Sequence, residues 1–232
     1  MFFEKPGFLF KGDSGFLVQR REAEQIPEAG GELEGEGSAP FGQVIGLRNM
    51  NFSELMGIRQ SVRSYQERPV EPEKLQAIVE SVRLAPSASN SQPWTLIIVD
   101  EPSLRDRVAR ATFNSTISFN RFSLEAPVIA VLTIEKPKVI TQIGGWMKQR
   151  EFSLIDIGIA AEHFCLQATD LGLGTCILGW FDEKVIKQLL NIPRSTRVAL
   201  LITLGYAAEG YPLRPKMRKD IDTMSRHNAY RL

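Results

Sequence analysis

The stretch from Phe152 to Leu171 limits the possible folds more than any other part of this sequence. It is long enough for a helix of several turns, and its first half is apolar on nearly every side. A helix without a polar face belongs in a protein core or in a subunit interface. The stretch is not expected to span a membrane, because polar side chains interrupt it at Asp156, Glu162, His163 and Asp170.

The first 49 residues differ in composition from the remainder of the chain. They are rich in glycine and carry glutamates among small residues at positions 22, 24, 28, 32, 34 and 36. Such a segment buries too little apolar surface to offset the entropy lost on ordering. We therefore predict a disordered extension over residues 1–49 and one folded domain over residues 50–232. A partner-binding tail, or a functional start at Met50, are the alternatives.

Composition argues against several classes of function. Of the 232 residues, 43% are hydrophobic and 24% are charged, and the formal net charge of +1 creates no bulk field for nucleic acid or an anionic membrane. Two cysteines and two histidines are too few to suggest a zinc site. Reduced thiols and the lack of a continuous signal-peptide core favour a cytoplasmic protein.

The hydrophobic periodicity after Met50 predicts a mixture of helices and strands. Two helices begin at capping signals, one at Asn51 and one near Glu71–Pro72. The predicted strands cover residues 94–99, 127–134 and 198–206, and further helices cover residues 104–111, 152–171 and 183–190. The long segments between the strands favour an α+β layered domain over a regular βαβ repeat.

Two polar segments in the first half of this region are candidates for binding chemistry. Arg59–Tyr65 places two guanidinium groups beside hydroxyls, which suits a phosphate or another anion, or else forms a solvated helix end. Ala85–Trp94 is a proline-bounded loop. Its hydroxyls and amides can contact a sugar chain or the edge of a heterocycle, or can serve as ordinary turn caps.

A third segment, Gly172–Trp180, contains glycines without forming a dinucleotide-binding motif. Ile177 occupies the place of the last glycine of GxGxxG, so that motif fails. Gly172 is expected to cap the preceding helix. Gly179 follows an apolar run, where the absence of a side chain lets a ligand approach the backbone closely.

The fourth segment, Arg214–Lys219, is strongly basic. In extended chain it would place Lys216 and Arg218 on one side, although a solvated basic tail is the plainer interpretation. Neither histidine is expected to act in catalysis. His163 lies on the predicted apolar helix as a core residue, and His227 lies in the polar tail.

In this order and at these intervals, the four segments resemble the nitroreductase family of flavoproteins. The resemblance covers nearly all of residues 50–232. It implies an α+β sandwich, in which helices flank a mainly antiparallel sheet, and an intertwined homodimer with FMN at the subunit interface. NADH or NADPH and a small-molecule electron acceptor would be the substrates, and neither nucleic acid nor a membrane would be a partner.

The resemblance also implies a set of cofactor-binding residues. The phosphate and the ribityl chain would contact Arg59, Gln60, Ser61, Lys216 and Arg218. The flavin ring would lie near Arg63, Asn120, Ile177, Leu178 and Gly179, the last offering its backbone N–H to flavin N5. The loop of the partner subunit would contribute Pro86, Ser87, Ala88 and Asn90, with Gln92 in the same loop. Leu178 stands where many relatives carry an acidic residue, which puts their nitroaromatic substrate range in doubt here.

The implied reaction is ping-pong transfer of hydride from NAD(P)H through flavin N5 to a nitroaromatic, quinone or enone acceptor. Because the flavin carries the chemistry, no catalytic residue is assigned. A lid over the flavin, or else a surface loop with one packed tryptophan, is expected from Glu135–Phe152, where Gly144–Gly145 permits a hinge and Trp146 can cover the ring. The alternatives are an FMN-binding storage or sensor protein, a flavoenzyme for dehalogenation or flavin fragmentation, and a scaffold with a vestigial site.

Overall fold

The computed structural model describes residues 50–135 and 151–230. The extension predicted over residues 1–49 and nearly all of the lid predicted over residues 135–152 lie outside these ranges. No helix within the described ranges combines the length and the apolar content that crossing a bilayer requires.

Six helices and four strands follow one another in mixed order along the described ranges. The helices are α1 (Phe52–Ile58), α2 (Pro72–Arg83), α3 (Pro102–Arg110), α4 (Phe152–Asp170), α5 (Glu183–Leu189) and α6 (Ile221–Met224). The strands are β1 (Trp94–Val99), β2 (Val128–Ile134), β3 (Gly174–Leu178) and β4 (Arg197–Gly205). Two short 3₁₀ turns cover Ala88–Asn90 and Arg121–Leu124.

The four strands form one antiparallel sheet in the order β1-β2-β4-β3. Side chains along β2 alternate between the two faces, so Ala130 and Leu132 join one apolar cluster while Ile129 and Val131 join another. Helices α2 and α4 cover the first face, and α3 and α5 cover the second. This layering confirms the predicted α+β class.

Helix α4 is buried along much of its length, as its apolar sequence predicts. Ala160, Phe164 and Ala168 are fully buried against the sheet and α2. The first turn differs, because Leu154 and Ile155 remain exposed in the single chain. Two apolar residues of α1, Phe52 and Met56, are exposed in the same way.

Strand β3 is the one strand of the described sheet that the sequence pattern did not predict. It is short and begins at a glycine, which weakens the usual strand signal. Gly172 takes a positive φ of 82° after α4, which confirms the predicted helix cap. Gly174 serves close packing instead, because a Cβ there would lie 2.5 Å from Cγ2 of Val62.

A polar cluster fastens the start of α2 to the end of the sheet. The hydroxyl of Tyr206 donates to the Glu71 carboxylate at 2.7 and 3.0 Å, and the Arg68 guanidinium donates to the same group at 2.7 Å. The Tyr206 hydrogen bonds are the main cause that lowers the pKa of Glu71 to about 2. A carboxyl whose pKa falls on folding stabilises the fold above its unfolded pKa, and this contribution is lost as the pH falls towards the folded value.

We expect Tyr206→Phe to raise the pKa of Glu71 and to flatten the acid limb of the stability curve. At about pH 6 the substitution should lower the free energy of unfolding by about 0.5–1.5 kcal/mol. We expect a value towards the lower end of this range because the pair is partly exposed. Urea unfolding at about pH 6 and about pH 3 measures both effects. Tyr230→Phe, at an exposed tyrosine, is the control. An unchanged pH dependence in Tyr206→Phe would contradict this account of Glu71.

Candidate functional site

The segment that follows α1 is held against the outer edge of β3. A capping box starts α1, with the Asn51 side chain accepting from the Glu54 N–H at 3.0 Å and Glu54 accepting from the Asn51 N–H at 2.9 Å. The helix ends at Ile58, and Ser61 then pairs with Thr175 in a parallel bridge. Arg59, Ser61 and Arg63 therefore lie beside the strand that leads to Gly179.

Three cations gather at the C-terminal end of α1, and we call Arg59, Lys216 and Arg218 the cationic cluster. The Lys216 ammonium donates to the backbone carbonyl of Arg59. Burial lowers the pKa of Lys216, and the positive charges of Arg59 and Arg218 lower it further, against the opposing effect of Glu162. The Arg59 Nε lies 3.3 Å from the Glu162 carboxylate on α4. Three cations beside one carboxylate leave an excess of positive charge.

The chain after β4 returns to residues 60–63 and is fastened there. The Gln60 amide donates to the Pro212 carbonyl at 2.9 Å and accepts from the Arg214 N–H at 3.1 Å. The Arg214 guanidinium donates to the Ser61 carbonyl, and the Arg63 N–H donates to the Tyr211 hydroxyl at 3.0 Å. These bonds fix residues 211–214 and thereby position Lys216 beside Arg59. The sequence analysis missed the roles of Tyr211 and Arg214, for which no local motif exists.

The side chains of Ser61 and Arg63 face Cys176 on β3. Burial raises the pKa of the Cys176 thiol, while the positive charge of Arg63 and hydrogen bonding by Ser61 act in the opposite direction. Cys176 and Cys165 are both free and buried. The thiol of Cys176 therefore stays protonated and packs as a small apolar group, while the Arg63 side chain remains exposed.

The loop over residues 86–92 is fixed in an unusual backbone conformation. Ser89, Asn90 and Gln92 have positive φ angles of 53°, 51° and 47°. The buried Asp156 on α4 holds the loop by accepting from the Ala88 N–H at 3.0 Å and from the Ser91 hydroxyl at 3.4 Å. Non-glycine residues with a positive φ are uncommon, and strained backbone of this kind clusters at functional sites.

Further hydrogen bonds within the loop order its polar side chains. The Gln92 N–H donates to the Ser87 hydroxyl at 2.9 Å, and the Gln92 amide donates to the Asn90 side chain at 2.8 Å. Asp156 precedes Glu162 by six residues on α4, which corresponds to about 9 Å along the helix axis. The loop and the cationic cluster therefore meet α4 at different levels. In the sequence, Asp156 is only a polar residue that interrupts an apolar run, and its role in holding this loop was not predicted.

The residues that end β3 form the glycine segment, Ile177–Trp180. Within residues 50–135 and 151–230, a Cβ on Gly179 would meet no atom within 4 Å, so the backbone there is open on that side. Leu178 is only 2% exposed and packs into the core, which leaves its backbone alone available to a ligand. The buried Asn120 donates to the Trp180 carbonyl at 3.1 Å. Asn120 thus lies beside the glycine segment and fixes its backbone.

The donor set of this region fits FMN. The cationic cluster has the charge to hold a phosphate, and only one of the three N–H donors of Lys216 is committed within the described chain. Ser61 and Arg63 continue from this cluster towards Gly179, where the open backbone leaves room for a planar ring. Residues 86–92 pack on the first turns of α4, where the Asp156 carboxylate accepts from the Ala88 N–H and the Ser91 hydroxyl.

The comparisons with known proteins agree with the fold. A putative NADH dehydrogenase/NAD(P)H nitroreductase of Archaeoglobus fulgidus is 29% identical over 166 residues, 70% of this chain and 84% of that protein. A nitroreductase family protein of Clostridium novyi NT has 33% identity and a TM-score of 0.61, over 69% of this chain and 87% of its own. An FMN-dependent nitroreductase of Clostridium difficile R20291 has 26% identity and a TM-score of 0.61, over 76% and 98% of the two chains. The Nitroreductase family profile matches residues 58–206, and the chain belongs to this family.

Proposed function

We propose that this protein binds FMN at a homodimer interface and passes hydride from NAD(P)H to a small electron acceptor. One observation carries the proposal. The segment over residues 59–63 begins at the cationic cluster and runs towards the open backbone of Gly179. The chain is an NAD(P)H-dependent oxidoreductase, in keeping with the names of its relatives. The acceptor class, nitroaromatic, quinone or enone, is part of the proposal.

The cationic cluster would hold the phosphate. FMN phosphate carries close to two negative charges, which matches the excess positive charge of Arg59, Lys216 and Arg218. Arg59 supplies forked donors and Lys216 a compact ammonium. A bound anion would also relieve the repulsion that lowers the pKa of Lys216. Gln60 is largely committed to residues 212–214, so we assign it a positioning role with one amide N–H to spare.

Arg63, Gly179 and Asn120 would orient the flavin ring, and Gly179 would leave one side of it free of protein side chains. Bound FMN supplies the hydride-transfer chemistry. Arg63 places a positive charge where negative charge develops on reduction, which stabilises that charge electrostatically. The Gly179 backbone N–H offers a hydrogen bond without a side chain in the way, and Asn120 keeps that backbone in position through Trp180.

A second copy of this chain would complete the site. Exposed apolar residues occupy α1 and the first turn of α4, which are neighbours in the fold. They are Phe52, Met56, Leu154 and Ile155, and Phe52 is 63% exposed. Exposed apolar side chains on two helices that contact each other mark a candidate association patch. Since the loop over residues 86–92 also packs on the start of α4, dimerisation through this patch would bring that loop towards the site of the partner.

The direct test of this function is an anaerobic absorbance experiment on the FMN-loaded protein. We expect the flavin bands to bleach when NADH or NADPH is added and to return when a quinone is supplied. Flavin bands that neither nucleotide bleaches would favour a storage or sensor protein. A protein that takes up no FMN would overturn the proposal.

We expect Arg59→Ala to weaken FMN binding by about 1.5–3 kcal/mol, or roughly 10- to 100-fold, because a charged hydrogen bond to the phosphate is lost. Titration of the apoprotein with FMN, followed by flavin fluorescence, gives the dissociation constant. Arg83→Ala is the matched control, since Arg83 is an exposed arginine paired only with its neighbour Glu80 among the described residues. Equal affinities of Arg59→Ala and wild type would remove Arg59 from the phosphate site.

We expect Gly179→Val to slow reduction of the bound flavin at least about tenfold, equivalent to about 1.4 kcal/mol in the barrier. A Cβ at this position meets no atom of the described part of the chain within 4 Å, so the added side chain would occupy the space assigned to the ring rather than disturb the fold. Stopped-flow reduction by NADH measures the rate, and an unchanged Tm isolates the effect. Gly179→Ala should give a smaller loss. Wild-type rates in both variants would place the cofactor elsewhere.

A further inference from the structure

A cavity of about 400 Å³ opens where the glycine segment ends, between the C-terminal end of α3 and the start of α5. Its lining includes two arginines and two aromatic rings, and we call the set Arg107, Arg110, Phe113, Trp180 and Asp182 the arginine pocket. The volume lies within the range of about 300–1,000 Å³ that small-molecule sites occupy. None of the residues assigned to FMN lines it.

The pocket is built on the same backbone as the candidate flavin site. Trp180 directly follows Gly179, so their Cα atoms are about 3.8 Å apart. The Trp180 carbonyl accepts from Asn120 at 3.1 Å, and the Asp182 N–H donates to the Ala111 carbonyl at 2.7 Å. These two bonds hold the walls of the pocket at a fixed position relative to Gly179.

The pocket carries an excess of positive charge. Arg107 and Arg110 lie three residues apart on the last turn of α3, and both are exposed. Neither forms an ion pair with a carboxylate within residues 50–135 and 151–230. The Asp182 carboxylate is occupied in capping α5, where it accepts from the Val185 N–H at 3.0 Å. Arg121, whose guanidinium lies 5.9 Å from the centre of the Phe113 ring, adds a further cation.

Cations in the last turn of a helix are favourable without any ligand, so the charge of Arg107 and Arg110 does not indicate a site by itself. The aromatic wall supplies the second indication. Phe113 and Trp180 line the pocket together with Arg107 and Arg110, and the Phe119 ring packs edge-on against Trp180 with ring centres 6.3 Å apart. A ligand that combines a flat heterocycle with a phosphate matches both properties of the lining.

We propose that the arginine pocket receives the adenosine end of the hydride donor, and that Arg107 and Arg110 bind the 2′-phosphate and so select NADPH over NADH. The inference rests on the proposed function, because it requires a nicotinamide nucleotide to reach the ring beside Gly179. The adenine would lie against Phe113 or Trp180, and the guanidinium forks would meet the phosphate oxygens. NADH lacks this phosphate and would gain nothing from the two arginines.

The test compares the double variant Arg107→Ala/Arg110→Ala with wild type, using adenosine 2′,5′-bisphosphate as the probe. Calorimetric titration of the FMN-loaded protein should show at least about tenfold weaker probe binding in the variant, or about 1.4 kcal/mol. The KM for NADPH should rise by a similar factor, while kcat and the KM for NADH stay within about twofold. Lys184→Ala/Arg194→Ala, which removes two cations beside a different cleft at α5, is the matched control.

The outcomes separate this inference from the proposed function. Arginine-dependent binding of the probe to a protein that no nicotinamide nucleotide reduces would support the pocket and defeat the proposed function. Reduction by NADPH with unchanged KM and unchanged probe affinity in the double variant would overturn the pocket alone. Equal losses with NADH and NADPH, a wild type that does not distinguish them, or loss of FMN from the double variant would also overturn it.

Discussion

The close approach of residues 59–65 to strand β3 is the constraint on which the site depends. The Val62 N–H donates to the Thr175 carbonyl at 2.8 Å, and the side chain of Val62 is fully buried. This spacing is possible only because Gly174 has no Cβ, which would otherwise lie 2.5 Å from Val62. Since β3 runs on into the glycine segment, one contact sets the position of the cations on Arg59 and Arg63 relative to the open backbone of Gly179.

The chain end after β4 depends on this contact in turn. Its hydrogen bonds go to Gln60, Ser61 and Arg63, whose positions the bridge to β3 has already fixed. The fastened segment then carries Lys216 against Arg59, where the repulsion between like charges opposes assembly. The backbone carbonyl of Arg59 and the carboxylate of Glu162 offset part of that repulsion. The remaining excess charge is what gives the cluster its capacity for an anion.

Much of the fold could be predicted from the sequence, because helix caps and apolar periodicity are local signals. The capping box at Asn51 and the strands β1, β2 and β4 lie where the pattern placed them. Strand β3 could not be predicted, since its first residue, Gly174, serves packing against Val62 rather than strand propensity. The residues that hold the site in place could not be predicted for a related reason. Tyr211 and Arg214 act on residues about 150 positions away, and no sequence motif records such a pairing.

The two arginines of the arginine pocket show why the local distribution of charge matters more for anion binding than the net charge of the chain. A net charge of +1 predicts no affinity for anions, and in sequence Arg107 and Arg110 are ordinary cations at a helix end. Only the fold places them beside Phe113 and Trp180, one residue beyond Gly179. The cationic cluster arises in the same way, from positions far apart in the chain. Positive charge is thus concentrated at the two places where phosphates are expected.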